Sequence, residues 1–144
     1  MYKLGNRSRK RLEGVHPKLI KLIEYSLEHE DCPHDFGIPS DGGLRTDERQ
    51  AELYSKGRRG MKGEKKVTNA DGVRNKSRHQ KKLDGYGYAF DIYVYENGSA
   101  NWDRQKLTEI ANHIFTCADK LGIKIQWGGY FKSFKDLPHF QLAY

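Results

Sequence analysis

Residues 77–91 read SRHQKKLDGYGYAFD. From Gly87 onward apolar and polar residues alternate, which is typical of a strand with one buried face. Asp91 then shares a face with Ala89, and a small residue beside a carboxylate leaves space for an ion or a substrate. His79 precedes this strand and can stand above that face. The alternation predicts one face made of Tyr88, Phe90, Ile92 and Val94 and the other of Ala89, Asp91, Tyr93 and Tyr95.

The C-terminal residues 136–142 read DLPHFQL and alternate in the same way. They predict a second strand with His139 and Gln141 on one face and apolar side chains in the core. Two imidazoles and one carboxylate, His79, His139 and Asp91, form a common catalytic zinc site when a fourth position stays open for water. The sequence therefore predicts a metal site split between two distant segments.

The spacing of these residues resembles that of a known group of enzymes. Ser-x-His, then Gly-x-Ala-x-Asp, then Asp-x-x-His is similar to the pattern of zinc peptidases of the DD-peptidase/Hedgehog superfamily. Within that superfamily it looks most like the L-alanyl-D-glutamate peptidases that serve as phage endolysins. The resemblance runs from about His16 to the end of the chain.

The resemblance implies a fold, a cofactor and a set of residue roles. The fold is a sheet that carries one Zn²⁺ per chain on one face. The family usually has a shorter spacing between its first histidine and the aspartate, so we expect residues 81–86 to form an extra loop on the rim. The implied zinc ligands are His79, Asp91 and His139, the implied catalytic base is Asp136, and the implied substrate-binding residues are Arg45 and Ser77.

Length and composition indicate one globular domain, residues 1–144. With 36% hydrophobic and 31% charged residues the chain can bury a core, and neither value indicates disorder. No apolar run approaches the roughly 20 residues needed to cross a bilayer, and the basic N-terminus does not resemble a signal peptide. We therefore expect synthesis in a cytoplasm. Cys32 and Cys117 are expected to be reduced thiols, with a disulfide between them as the alternative.

Periodicity and capping signals predict about three helices packed on a mainly antiparallel sheet, an α+β domain. Residues 28–43 are expected to be a loop, and its His29, Cys32 and His34 match no zinc motif. Trp127 belongs either to the core or to a pocket wall. The predicted elements are a helix from Pro17 through Leu27, a helix from Thr46 to Gly57, the strand from Gly87, a turn at Glu96–Ser99, the longest helix through Leu107–Leu121 with Asn101 or Asp103 as its cap, and a strand at Ile123–Ile125.

Arg45 stands directly before the predicted N-terminus of a helix, where its positive charge opposes the helix dipole. One interpretation is that its guanidinium faces a substrate carboxylate or a developing oxyanion. The alternative is a salt bridge to Asp41 or Asp47.

Positive charge is concentrated in residues 56–86, which we call the basic rim loop. Between Lys56 and Lys82 there are eleven Lys or Arg against two acidic residues, a net charge of +9 in a chain whose total is +7. Such a patch attracts a polyanion, either nucleic acid or an anionic cell envelope, although a merely solvated loop is a third interpretation. No Phe, Trp or Tyr is interleaved with these charges, which argues against specific nucleic-acid binding.

Two classes of function remain open from the sequence. The first is a zinc peptidase that hydrolyses the L-alanyl-D-glutamate bond of peptidoglycan stem peptides, acting as a monomer that lyses the bacterial host after release from the host cytoplasm. Within this class a D-alanyl-D-alanine carboxypeptidase is less favoured, because we find no export signal. The second is a non-enzymatic, zinc-containing basic binding protein, against which the intact Asp136 argues.

Overall fold

The computed structural model describes all residues, Met1–Tyr144. The protein is an α+β domain with four α-helices and two three-stranded antiparallel sheets. The helices are α1 (Asn6–Arg11), α2 (Pro17–Glu28), α3 (Asp47–Ser55) and α4 (Arg104–Leu121), with a 3₁₀ turn at Gly128–Tyr130. The strands are β1 (Phe36–Gly37), β2 (Ala89–Asp91), β3 (Tyr93–Glu96), β4 (Ser99–Asn101), β5 (Ile125–Trp127) and β6 (His139–Leu142).

The residues that the sequence predicted to form one continuous strand from Gly87 belong to two strands, β2 and β3. One sheet has the order β1-β3-β4 and the other β2-β6-β5, so β2 and β3 belong to different sheets. The division falls at Ile92, whose backbone N–H donates to the carbonyl of Pro138, while that of Asp91 donates to Gly42. The predicted α+β class with antiparallel strand pairing is confirmed, and the strands are divided between two sheets where one was expected. The alternation itself is confirmed, since Phe90, Ile92 and Val94 are fully buried.

The helices with an apolar period begin and end close to the predicted residues. Asp103, rather than Asn101, caps α4, its carboxylate accepting the backbone N–H of Lys106, and Thr46 caps α3 through its hydroxyl. Helix α1 was not predicted. Its six residues, NRSRKR, have no apolar period, and its position depends on the flanking side chains of Leu4 and Leu12, which are buried in the core.

The hydrophobic core lies between α2, α4 and the inner faces of both sheets. On the core side of the sheet formed by β2, β6 and β5 the rings of Phe90 and Phe140 stack with their centroids 5.1 Å apart. Trp127 also packs near Phe140 and donates its indole N–H to the carbonyl of Leu137, so it is a core residue, and it also lines a surface groove beside Phe131. The opposite side of β2 and β6 is left free to carry polar side chains.

The basic rim loop contains no helix and no strand, as predicted. Two buried glutamines attach its middle and its C-terminal part to α3. Gln50 donates to the carbonyl of Ala70 at 2.8 Å, and Gln80 donates to Asp47 at 2.9 Å and to the carbonyl of Gly72 at 3.1 Å. Residues 81–86 form an exposed turn that is closed by backbone hydrogen bonds, so the extra residues project from the rim.

Two further expectations concern the whole chain. None of the helices has the length and apolar character needed to cross a membrane. Cys32 and Cys117 are both buried and form no disulfide, as the sequence predicted.

Candidate metal centre

The side chains of His79, Asp91 and His139 converge on one point. The Asp91 Oδ1 atom lies 3.2 Å from His79 Nε2 and 3.0 Å from His139 Nδ1, and the two nitrogens are 3.2 Å apart. The antiparallel pairing of β2 with β6 places Asp91 directly opposite His139. These three residues are the one group in the chain whose His, Cys, Asp or Glu atoms lie close enough to hold a metal ion.

The backbone of Gly43 orients the ring of His79. The His79 Nδ1 atom lies 2.9 Å from the Gly43 carbonyl oxygen, which can only accept a hydrogen bond, so Nδ1 carries the proton and Nε2 faces Asp91. A side chain at residue 43 would place its Cβ 1.8 Å from the backbone oxygen of Arg11. Glycine is therefore required here for this close approach to α1. The pair Gly42-Gly43 was the only sequence signal of this contact.

The three side chains shift one another's pKa values. Burial alone would raise the pKa of the Asp91 carboxyl, but the charges and hydrogen bonds of His79 and His139 outweigh burial and hold this pKa well below its usual range. Burial lowers the pKa of His79, against the opposing charge of Asp91. Burial also acts to lower the pKa of His139, but its hydrogen bond to Asp91 and the charge of that carboxylate prevail and raise it. The centre thus favours an ionised Asp91 carboxylate.

Asp136 lies beside this centre without belonging to it. Its backbone N–H donates to the carbonyl of Gly128 at 3.0 Å, and a Cβ at Gly128 would come within 2.1 Å of the Asp136 backbone oxygen, so glycine lets the two segments pack closely. Burial raises the pKa of the Asp136 carboxyl, and the negative charge of Asp91 raises it further, against the positive charges nearby. No salt bridge joins Asp136 to Lys132 or Lys135, since the Lys135 ammonium donates to the carbonyl of Gly129.

The guanidinium of Arg45 faces the centre from the N-terminus of α3. Its Nη2 atom lies 3.5 Å from the Asp91 Oδ2 atom, and its Nη1 atom donates to Gln50 at 3.2 Å. Its Nε atom donates to the backbone carbonyl of Asp41, whereas the Asp41 carboxylate pairs with Arg49. Arg45 therefore forms no salt bridge with the carboxylate of Asp41, and none with Asp47 either.

Ser77 is placed by the turn that presents His79. Its hydroxyl oxygen accepts the backbone N–H of His79 at 3.1 Å, and its own N–H donates to Gln80 at 2.8 Å. The hydroxyl proton remains free to be donated. The sequence did not identify Gln50 or Gln80 as residues that support the site, because neither glutamine belongs to a recognised motif.

The loop cluster His29, Cys32 and His34 holds no comparable site. The His34 ring lies 2.9 Å from Glu109, and the Cys32 thiol donates to the backbone carbonyl of His34. These side chains are engaged with separate neighbours.

Two grooves of the surface are lined by residues that contact the centre, namely Ser77 and Phe131, but by none of His79, Asp91 and His139. A third groove, about 800 Å³, follows α2 and contains none of the six predicted site residues. A groove of about 730 Å³ is lined by Ser77 and by Lys76, Arg78 and Lys82 of the basic rim loop. A smaller aromatic groove includes Phe131, whose ring centroid lies 5.9 Å from that of His139.

Comparison with known proteins gives matches that extend over nearly the whole chain. The family model described as phage L-alanyl-D-glutamate peptidase matches residues 1–141. Among solved structures, the crystal structure of Serratia marcescens L-Ala D-Glu endopeptidase ChiX is similar at 30% sequence identity, with a TM-score of 0.73. The alignment covers 98% of this chain and 90% of that one.

Proposed function

The chain belongs to the phage L-alanyl-D-glutamate peptidase family, and from this premise we propose that it is a zinc-dependent endolysin that hydrolyses the L-alanyl-D-glutamate bond of peptidoglycan stem peptides. The observation that carries the proposal is the convergence of His79, Asp91 and His139 within 3.2 Å of one another. Asp136 supplies a nearby carboxyl with a raised pKa. The family membership supports the L-alanyl-D-glutamate bond as the bond that is cleaved, and the arrangement of the site supports metal-assisted hydrolysis.

The three donor atoms fit a zinc ion in type and in spacing. Two ligand atoms that are each about 2.0–2.1 Å from a tetrahedral zinc ion lie about 3.3–3.4 Å apart. The separations in the centre are 3.0–3.2 Å, so a small adjustment of the side chains suffices. A zinc ion held by His79, Asp91 and His139 would act as a Lewis acid and lower the pKa of a water molecule.

In the proposed reaction Asp136 moves the proton. Water attacks the carbonyl carbon of L-alanine, Asp136 accepts a proton from that water, and the same carboxyl then protonates the amine of D-glutamate as the C–N bond breaks. The products are a free L-alanyl carboxylate and a free amine. A pKa raised by burial suits this role, because the carboxyl must hold a proton and release it within one cycle.

Arg45 and Ser77 are proposed to position the substrate. The salt bridge between Arg45 and Asp91 is long, with 3.5 Å between Nη2 and Oδ2. One N–H of the guanidinium can therefore turn toward a substrate carboxylate or a developing oxyanion. The free hydroxyl proton of Ser77 can be donated to a substrate carbonyl. The backbone N–H of Arg45 donates to the carbonyl of His79, and the Ser77 hydroxyl accepts the N–H of His79. The residues proposed to bind the substrate are therefore held directly beside a proposed zinc ligand.

The basic rim loop is proposed to bring the enzyme to the anionic cell envelope. Lys62, Lys65 and Lys66 are exposed, and no salt bridge of the protein includes them, whereas Arg59 is paired with Glu52 and Glu64. Free positive charge accelerates encounter with a polyanion without contributing to the chemical step. We further propose a monomer that is made in the host cytoplasm, acts on the wall after release and binds no specific nucleic acid.

Mass spectrometry of purified muropeptides tests the proposed bond. We expect new fragments that end in L-alanine with a free carboxyl group, and no such fragments after treatment of the protein with a chelator. Release of D-alanine instead would identify a carboxypeptidase, and unchanged muropeptides in the presence of zinc would favour a non-enzymatic binding protein.

Metal analysis of dialysed protein tests the ligands. We expect about one zinc per wild-type chain, and loss of zinc from His79→Ala, Asp91→Ala and His139→Ala, because a site with two protein ligands binds zinc much more weakly. His34→Ala is the control, since that ring is paired with Glu109, and it should retain zinc. Full occupancy in His79→Ala would show that another residue is the ligand.

Steady-state kinetics of Asp136→Asn test the base. We expect kcat to fall by about two to four orders of magnitude, the range for loss of acid-base catalysis, with zinc content and fold retained. Asp119→Asn removes an exposed carboxylate from α4 and serves as the control. Retention of more than about a tenth of wild-type kcat in Asp136→Asn would assign the proton transfer to another group.

Charge reversal in the basic rim loop tests the encounter model. We expect Lys62→Glu, Lys65→Glu and Lys66→Glu together to slow lysis of whole envelopes and to remove most of its salt dependence, because electrostatic attraction is screened beyond about 8 Å at physiological ionic strength. Hydrolysis of a small soluble muropeptide should change little. The triple change Lys21→Glu, Lys120→Glu and Lys124→Glu alters net charge equally on another surface. Equal losses on both substrates, or in both triple variants, would contradict the model.

A further inference from the structure

We propose that Gln141 is a positioning residue for the metal centre: held by Gln126, it fixes His139 in the tautomer that presents the Nδ1 lone pair to the ion. This inference rests on the proposed function, since it concerns how the proposed zinc ligand is prepared. It assigns a role to two residues that lie outside the ligand set.

The contacts form a chain that leads away from the centre along one face of the sheet. The Nδ1 atom of His139 points inward, 3.0 Å from Asp91 Oδ1. Its Nε2 atom points outward and lies 2.8 Å from Gln141 Oε1. The Gln141 amide nitrogen in turn donates to Gln126 Oε1 at 2.9 Å. Gln126 and Gln141 are directly opposite one another in the antiparallel pairing of β5 and β6.

A neutral imidazole has one N–H, so only one of its nitrogens can bind a metal ion. If Gln141 presents its carbonyl oxygen to His139, the proton must be on Nε2, and Nδ1 keeps its lone pair for the ion. If the amide is rotated by half a turn, its NH₂ group faces Nε2 and the proton moves to Nδ1, where it points into the centre and blocks binding. The orientation of one amide therefore decides whether His139 can act as a ligand.

Gln126 selects the productive orientation. Its Oε1 atom faces the Gln141 nitrogen, and two oxygens would repel one another if the Gln141 amide alone were rotated. The other histidine needs no such device, because the backbone carbonyl of Gly43 cannot rotate to offer a donor to His79. The two imidazoles are thus oriented by different means, and only that of His139 depends on replaceable side chains.

Zinc affinity, measured by competition with a chromophoric chelator, tests the proposal in the full-length protein. We expect Gln141→Leu, which has no acceptor, to bind zinc about 10- to 100-fold more weakly, the range found when such supporting hydrogen bonds are lost. Gln141→Glu should bind at least as tightly as wild type, because a carboxylate accepts from Nε2 and cannot donate. Gln105→Leu, on the exposed surface of α4, is the control and should have no effect.

A double-mutant cycle isolates the role of Gln126. We expect Gln126→Leu to weaken zinc binding in the wild-type background, because the Gln141 amide is then free to rotate. In the Gln141→Glu background the same change should have no effect, because both carboxylate oxygens are acceptors and rotation changes nothing. An equal effect of Gln126→Leu in both backgrounds would overturn its role in orienting the amide.

NMR of the imidazole nitrogens supplies a second measurement, on metal-free protein at a pH where the rings are neutral. The Asp91 carboxylate, 3.0 Å from Nδ1, competes with Gln141 for the ring proton in metal-free protein. We therefore expect a larger share of His139 with its proton on Nε2 in the wild type and in Gln141→Glu than in Gln141→Leu. This signal also shows whether each variant is folded.

The outcomes separate the two proposals. If the wild type binds no zinc, the proposed metal-dependent function fails, and this inference fails with it. If the wild type binds zinc and Gln141→Leu binds it equally well, only this inference fails. It also fails if Gln141→Glu is as weak as Gln141→Leu, since the amide would then be acting as a donor.

Discussion

The candidate metal centre depends on the antiparallel register between β2 and β6. In this register Asp91 lies opposite His139 on one face of the sheet, and Phe90 lies opposite Phe140 on the other. A shift by one residue would turn His139 into the core and expose a phenylalanine. Because both rings are fully buried and stacked, such a shift would lose a large apolar contact. Packing of the core therefore enforces the geometry of the centre.

Two carboxylates a short distance apart are given opposite properties by their surroundings. Asp91 lies between two imidazoles and stays ionised, with a pKa far below its usual range. Asp136 has no salt bridge, is partly buried and is near the charge of Asp91, and its pKa is raised. Such a separation is typical of sites in which one carboxylate stays charged and the other transfers protons. The difference arises from position, since the two side chains are chemically identical.

Local patterns in the sequence predicted the parts of the fold that depend on near neighbours. The apolar period of α2 and α4, the cap at Thr46 and the alternation in β6 are all confirmed, because each depends on residues within a few positions of one another. Helix α1 has no such pattern and was missed. The division between β2 and β3 was missed for a related reason, since it follows from hydrogen bonds to Gly42 and Pro138 in distant segments.

The sequence by itself determined which side chains face the centre, because the alternation in β2 and β6 places Asp91 and His139 away from the core. Only the tertiary structure decided how close these groups come and which atoms they present. His79 is oriented by a carbonyl 36 positions away and meets His139 across 60 positions. Periodicity reports neighbours along one strand or helix turn, whereas these partners are chosen by the packing of separate segments, which no local pattern encodes.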